Sequence, residues 1–323
     1  MRLRELFRTK SVDQLSGEAE VPGHRLKKVL GPIDVTALGI GGIIGAGIFA
    51  TIGTAAAGDA TRPGAGPALI LSFVVTAIAC GFAALCYAEF AAMIPISGSA
   101  YTYAYATLGE LIAWIIGWDL IIEYAVGNVA VAISWGNYFK TLVSGFGIVI
   151  PDWLSTDYRT AAKIPGLFEN APHVFGVPIV INALAIGIVA LITIVLVVGI
   201  RESTNMTTMM VLLKLIVLGF FVAVGFGYIK GANFHPFMPN GWAGVQAGAA
   251  IVFFAYIGFD AVSTVAEETR NPKRDLPIGI IGSLIISTIV YIAVAAVFTG
   301  IIPFHVLKQK LATEQAEPLT MAL

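Results

Sequence analysis

Seven stretches of this chain, each more than twenty residues long, are almost wholly apolar. A helix rises ~1.5 Å per residue and the hydrocarbon layer of a bilayer is ~30 Å thick, so each stretch is long enough to cross it. The spans are placed at Val35–Ala57, Pro67–Ile94, Leu111–Tyr138, Gly176–Ile200, Met206–Tyr228, Gly244–Thr264 and Pro277–Ile302. Lipid offers no partner to a bare N–H or C=O, so these spans are expected to be helices. With 57% of 323 residues hydrophobic and 12% charged, no single aqueous core would hide this much hydrocarbon. The expectation is an all-α, multi-pass membrane protein.

Charge and chemistry exclude several function classes. A net charge of −1 gives no field to recruit nucleic acid. Cys80 and Cys86 lie within one span, and His24, His173, His235 and His305 are scattered through tails and connections, so neither a disulfide frame nor a metal centre is indicated. No span holds a histidine, and no nucleophile stands with a base, which argues against a membrane-embedded enzyme. No cofactor is called for.

Residues 1–34 carry seven Lys/Arg and read as a cytoplasmic tail, with Leu3, Leu6 and Phe7 among Arg2, Arg4, Arg8 and Lys10 as a short interfacial helix or a disordered basic segment. The tail and even-numbered connections hold eleven Lys/Arg against seven on the other side, which is expected to place the N-terminus on the cytoplasmic side of a cell membrane. The final residues, Pro318–Leu323, read as the first turn of an eighth helix.

The first span contains five glycines in the nine residues Gly39–Gly47. Each costs ~1 kcal/mol relative to alanine inside a helix, so this is where the span would unwind and expose its backbone. Close packing through Gly41 and Gly45 is the competing use. A dinucleotide loop through Gly39, Gly41 and Gly45 fails, because no strand precedes it. The sixth span has its own interruption in Phe253–Asp260, where Gly258 and Asp260 enter an apolar helix. Broken spans five apart would occupy equivalent places in two inverted five-helix repeats, 35–229 and 241–323, the second incomplete. Half-helix N-termini would offer N–H groups to a carboxylate and unwound carbonyls would accept from an ammonium. That combination describes an α-amino acid site.

Four segments, Gly39–Phe49, Cys86–Phe90, Ser97–Tyr103 and Phe253–Asp260 running into Ala266–Pro277, give the chain a resemblance to the amino acid–polyamine–organocation superfamily, specifically the bacterial relatives of cationic amino acid transporters. The resemblance implies a LeuT-like fold of twelve helices with a five-plus-five inverted repeat, of which this chain holds about seven. It implies that Ile44, Gly45, Ala46 and Gly47 receive the substrate carboxylate, and that the carbonyls of Phe254, Ala255 and Ile257 receive its ammonium. Phe254 would also serve as a gate. Some relatives carry a hydroxyl residue where Ala46 stands, so here the main chain would do this work.

Five charged residues, Glu89, Asp119, Glu123, Lys214 and Asp260, sit within the spans. Lys214 lies roughly 12 Å along the fifth, where an ammonium is costly unless paired or neutralised. It could lose and regain a proton as its surroundings open and close, or serve as a fixed ion pair; the resemblance implies a proton-coupling lysine in the place of a sodium ion. Glu123 is near the middle of the third span with Asp119 one turn earlier, two buried acids that should not both ionise freely. Glu123 could meet a basic substrate side chain, as the resemblance implies, or bond neighbouring hydroxyls or indoles. Asp260 could bind a substrate cation, take the coupling proton or cap the resumed helix. Glu89 reads as structural. The expected function is proton-coupled transport of amino acids by alternating access, with arginine and lysine foremost, a neutral or broad permease as the alternative, and a channel or enzyme more remote.

Overall fold

The computed structural model describes residues 6–19, 26–198, 204–313 and 319. They divide into two compact units, one of residues 1–122 and 202–323, the other of residues 123–201. Among the described residues six helices are long and apolar enough to cross a membrane, and the apolar helix at Ala183–Val195 is shorter. Large apolar side chains such as Ile78, Phe82, Ile216 and Phe220 are exposed, while Ser72, Ser283 and Ser287 are buried. That inversion is what a protein solvated by lipid shows.

In the first unit, α1 (Val12–Ala19) begins on a reciprocal cap. The Ser11 N–H donates to Gln14 Oε1 at 3.1 Å and the Gln14 N–H to Ser11 Oγ at 3.3 Å. The short interfacial helix expected around Leu3, Leu6 and Phe7 falls partly on residues 1–5, which lie outside the described residues. Next, α2 (Pro32–Ile43) starts with proline in its first turn and with Asp34 Oδ2 accepting the Gly31 N–H at 2.9 Å. After a break, one wide turn (Gly47–Thr51) leads into α3 (Ile52–Ala57). The long α4 (Leu69–Met93) and short α5 (Ser99–Thr107) follow, and α6 (Glu110–Ser144) carries the chain into the second unit.

There, the fourth span starts later than its hydropathy indicates. Residues expected to be helical from Gly176 instead form a hairpin, β1 (His173–Val174) paired antiparallel with β2 (Val177–Pro178). Phe175 and Gly176 make its turn with φ of 53° and 79°, the double positive twist that suits a two-residue loop. Helix α7 (Ala183–Val198) begins only after Asn182, whose Oδ1 accepts the Ala185 N–H at 3.0 Å.

The chain re-enters the first unit with α8 (Thr204–Phe226) and α9 (Gly241–Val252). Two tightly wound 3-10 segments, Phe253–Tyr256 and the longer Asp260–Glu268, kinked at Val265, are followed by α10 (Pro272–Ile301) and α11 (Phe304–Thr313). At the centre, α10 packs on both α4 and α2. Small residues permit this: a Cβ on Gly39 would meet Ser283 Oγ at 2.5 Å, and one on Gly279 would collide with Val35. Pro318–Leu323, expected to open a further helix, lies outside the described residues apart from Leu319.

Candidate substrate site at two broken helices

Both expected interruptions are present. Helix α2 ends at Ile43, and Ile44 has φ −77° and ψ 87°. With the Gly45 N–H donating to Ile43 O at 2.9 Å, this is a three-residue reverse turn. In an unbroken helix the Gly45 N–H would reach the Gly41 carbonyl, and the Ile48 N–H that of Ile44. The turn releases both oxygens. Lys214 of α8 takes them: its Nζ donates to Gly41 O at 2.7 Å and to Ile44 O at 2.8 Å. The paired ammonium thus stands where a bound cation would serve the same two carbonyls.

The glycines divide their labour. A Cβ on Gly41 would reach 3.0 Å from Val211, so Gly41 lets α8 approach and deliver Lys214. A Cβ on Gly45 would meet nothing within 4 Å, so the packing use of Gly41 and Gly45 as a pair is not realised. Gly45 lies in the turn itself.

In the sixth span, the break falls at Ile257, with ψ 135°, and Gly258, with φ +114°. A Cβ on Gly258 would be 2.7 Å from the Gly42 carbonyl oxygen, so only glycine suits both the backbone angle and the space. One on Gly47 would collide with the Cα of Ala255. The two breaks therefore touch main chain to main chain. Ala46, Gly47 and Ala255 are buried, while Gly45, Phe254 and Ile257 are half-buried. The resumed turn at Gly47 points its first N–H groups back toward the break, the arrangement that receives an anion.

Sequence reasoning missed Tyr291. Its fully buried hydroxyl lies 2.8 Å from Ile43 O and 2.8 Å from Ala255 O, one carbonyl from each break. A hydroxyl has one proton, so it donates to one of them at a time. The ring is wedged against Phe73 and Tyr256, both at 5.4 Å between centroids. The available signal was the spacing Gly279, Ser283, Ser287, Tyr291, a small or polar residue every fourth position on an otherwise apolar helix.

At the N-terminal end of α2 a second set of contacts closes the unit. The Val29 and Leu30 N–H groups donate to Glu268 O at 2.9 and 3.0 Å, and the Arg270 N–H returns to Leu30 O at 2.9 Å. Glu267 Oε1 accepts the Ser97 N–H at 3.0 Å, and the Glu267 N–H donates to Ser97 Oγ at 3.4 Å. Beside them Tyr87 meets Phe259 edge to face at 5.6 Å, and Phe90 stacks on Tyr103 at 5.2 Å. Asp260 is 5% exposed just above this aromatic layer in the chain, and its carbonyl accepts the Ser263 hydroxyl at 2.6 Å.

The acids of α6 fare differently from expectation. Glu123, in the second unit, is half-buried, but Asp119 is exposed. The pair of buried acids is thus not formed, because the faces of α6 around Trp118 and Ile121 are themselves exposed. Glu89 is exposed, as a snorkelling residue near a helix end would be. Among the described residues no cluster of three or more His, Cys, Asp or Glu could hold a metal.

Comparison with known proteins identifies the family. The family described as amino acid permease matches residues 30–316. The chain is 51% identical over 300 residues, 93% of its length, to the branched-chain amino acid permease BcaP of Bacillus subtilis (strain 168), covering 60% of that protein. It is 46% identical over 302 residues to the methylthioribose transporter of the same organism, covering 94% of this chain and 61% of the relative. Against cationic amino acid transporter 1 of Arabidopsis thaliana the identity is 36% over 302 residues, 94% of this chain and 47% of that one. The chain thus spans about six-tenths of the length of the first two, and these relatives are transporters, not enzymes. By sequence match and by helical architecture, this chain is an integral membrane protein of the amino acid permease family, with the LeuT-like fold class expected of it.

Proposed function

We propose that the protein carries amino acids across the cell membrane by alternating access, coupled to protons, with its N-terminus in the cytoplasm, a first five-helix repeat over 35–229 and the start of a second, inverted one over 241–323. The observation that carries this reading is the main-chain contact between the two breaks, Gly47 against Ala255 and Gly42 against Gly258. Within the stretch Ile44–Gly47 the substrate carboxylate is received by the N–H groups of Ala46 and Gly47, those of Ile44 and Gly45 being given to Ile40 O and Ile43 O; the ammonium is received by the carbonyls of Phe254, Ala255 and Ile257, and Phe254 closes over it. Asp260 lines the inner side. Lys214 carries the coupling proton. When protonated it holds the first break through Gly41 and Ile44, and when neutral its two remaining N–H groups bind those carbonyls more weakly, without charge assistance, which lets the break change shape. The Ser97–Glu267 pair and the aromatic layer form the inner gate.

For the substrate, apolar neighbours such as Ile43, Ile44 and Ile257 surround the breaks, and the 51% likeness is to a branched-chain permease. These support neutral, branched side chains ahead of arginine and lysine. The cationic reading rests on Glu123 and on the 36% likeness to a cationic transporter. Uptake of labelled leucine into proteoliposomes holding the full-length protein, competed by unlabelled isoleucine, alanine, lysine and arginine, decides between them. Competition by isoleucine alone supports the neutral reading. Flux that neither saturates nor shows counterflow would mean a channel and overturn the proposal.

A further inference from the structure

Past the far end of α3, the chain reverses within Gly58–Ala65 around one carboxylate. Asp59 Oδ1 accepts from the Thr61 N–H at 2.8 Å, the Thr61 hydroxyl at 2.7 Å and the Arg62 N–H at 2.9 Å. Its Oδ2 accepts from Arg62 Nε at 3.1 Å. Gly58 turns the corner with φ +80°, and Asn240 Nδ2 donates to Gly64 O at 2.8 Å, pinning the loop to the start of α9. The result is a preformed cavity of about 270 Å³, walled by this loop, Asn240 and Lys308 of α11.

The charges of this cavity do not cancel. Both oxygens of Asp59 are engaged within the loop. Arg62 gives Asp59 only its Nε, which leaves the terminal nitrogens of the guanidinium for another partner. Lys308 lines the same space, is exposed and forms no ion pair among the described residues. A guanidinium edge and an ammonium around a small polar space match an oxyanion, whose oxygens accept charge-assisted hydrogen bonds from both. Ala57 and Asn240 continue directly into the two broken spans, so an anion held here lies some ~15 Å along the helix axis from Gly47.

We propose that this cavity is a second ligand site, one that takes a small oxyanion group through Arg62 and Lys308. The group is the carboxylate of a free acid or the phosphate of a lipid headgroup, since both have the same chemistry at these two residues. The site does not depend on the transport reading.

The test uses the full-length protein in detergent, with propionate as probe and ionic strength held constant with sodium chloride. Propionate has a carboxylate but lacks the ammonium that the central site requires, so its failure to bind here would leave the central site untouched. Saturation-transfer NMR is expected to show bound propionate. Lys308→Gln and Arg62→Gln should each weaken it on the order of tenfold, the value of one charge-assisted hydrogen bond. Lys308→Arg should restore it, and Lys273→Gln, an exposed charge elsewhere, should leave it unchanged. Displacement by dihexanoyl phosphatidylglycerol at lower concentration than by acetate identifies the lipid phosphate as the source, and the reverse order the free carboxylate. Absence of any propionate signal, equal binding by both glutamine variants and the parent, or an equal loss in Lys273→Gln overturns the site.

Discussion

The Lys214 ammonium lies 2.8 Å from the Ile44 carbonyl oxygen, in the place that the broken helix itself vacates. The two hydrogen bonds to Gly41 and Ile44 are local to the break, so their loss should act on coupling before it acts on the fold. Lys214→Ala is expected to abolish uptake driven by a pH gradient while amino acid counterflow persists at a reduced rate. Proteoliposomes with and without an imposed gradient separate the two. Undiminished gradient-driven accumulation by the variant would sink the coupling role.

Tyr291 joins carbonyls of both breaks through one hydroxyl. Tyr291→Phe keeps the ring and its contacts with Phe73 and Tyr256 but leaves two buried carbonyls without that partner, a cost of about 1–3 kcal/mol. The thermal midpoint should fall by a few degrees, with KM for substrate rising more than the maximal rate falls, because the Ala255 carbonyl is part of the ammonium site proposed above. A drop in stability with unchanged KM would make Tyr291 structural only.

How much of this was legible in the sequence follows from what sets each feature. Spans are set by hydrophobicity, which is additive along the chain, so the first, second, third, fifth, sixth and seventh were placed to within a few residues at most ends. The fourth was not. Val177 and Pro178 are as apolar as a helix start, and the hairpin depends on a turn at Phe175–Gly176 that hydropathy does not register. The breaks were legible because glycine weakens helices by composition alone. Tyr291 and the Ser97–Glu267 pair were not, since their partners are backbone groups of elements remote in sequence.

The Ser97–Glu267 pair ties the start of α5 to the end of the sixth span through two hydrogen bonds. Glu267→Ala removes one of them entirely, worth about 1 kcal/mol, which shifts a gate equilibrium roughly fivefold toward the open state. Alkylation of an Ala46→Cys reporter by an impermeant thiol reagent, in a Cys86→Ser background, should accelerate by that factor from the α2 N-terminal side. Cys80 is buried and adds little background. An unchanged alkylation rate would remove the pair from the gate.

Glu123 decides the second substrate reading. If its carboxylate meets a basic side chain, Glu123→Gln should weaken competition by lysine and arginine at least tenfold, as expected for losing a charge-assisted bond, with leucine uptake preserved. Equal effects on all substrates would mark the residue as structural and leave the neutral reading alone.

The Asp59 turn makes a prediction in pH. Its hydrogen bonds, foremost that of the Thr61 hydroxyl, hold the carboxyl at about 2, below the ordinary 3.8. A depressed carboxyl contributes order that is fully present above the ordinary value and is lost as pH falls through the folded one, because the protonated acid no longer accepts these bonds well. The loop should therefore be intact at pH 5 and come apart between about pH 4 and 2. Carbon-13 titration of the Asp59 carboxyl, followed alongside the Thr61 and Arg62 amide shifts, reads this directly. Thr61→Val removes the largest cause and should move the midpoint up toward 3.8, with the amide shifts following it. A midpoint already at 3.8 in the parent would show that these bonds do not hold the turn, and the preformed wall of the neighbouring cavity would go with them.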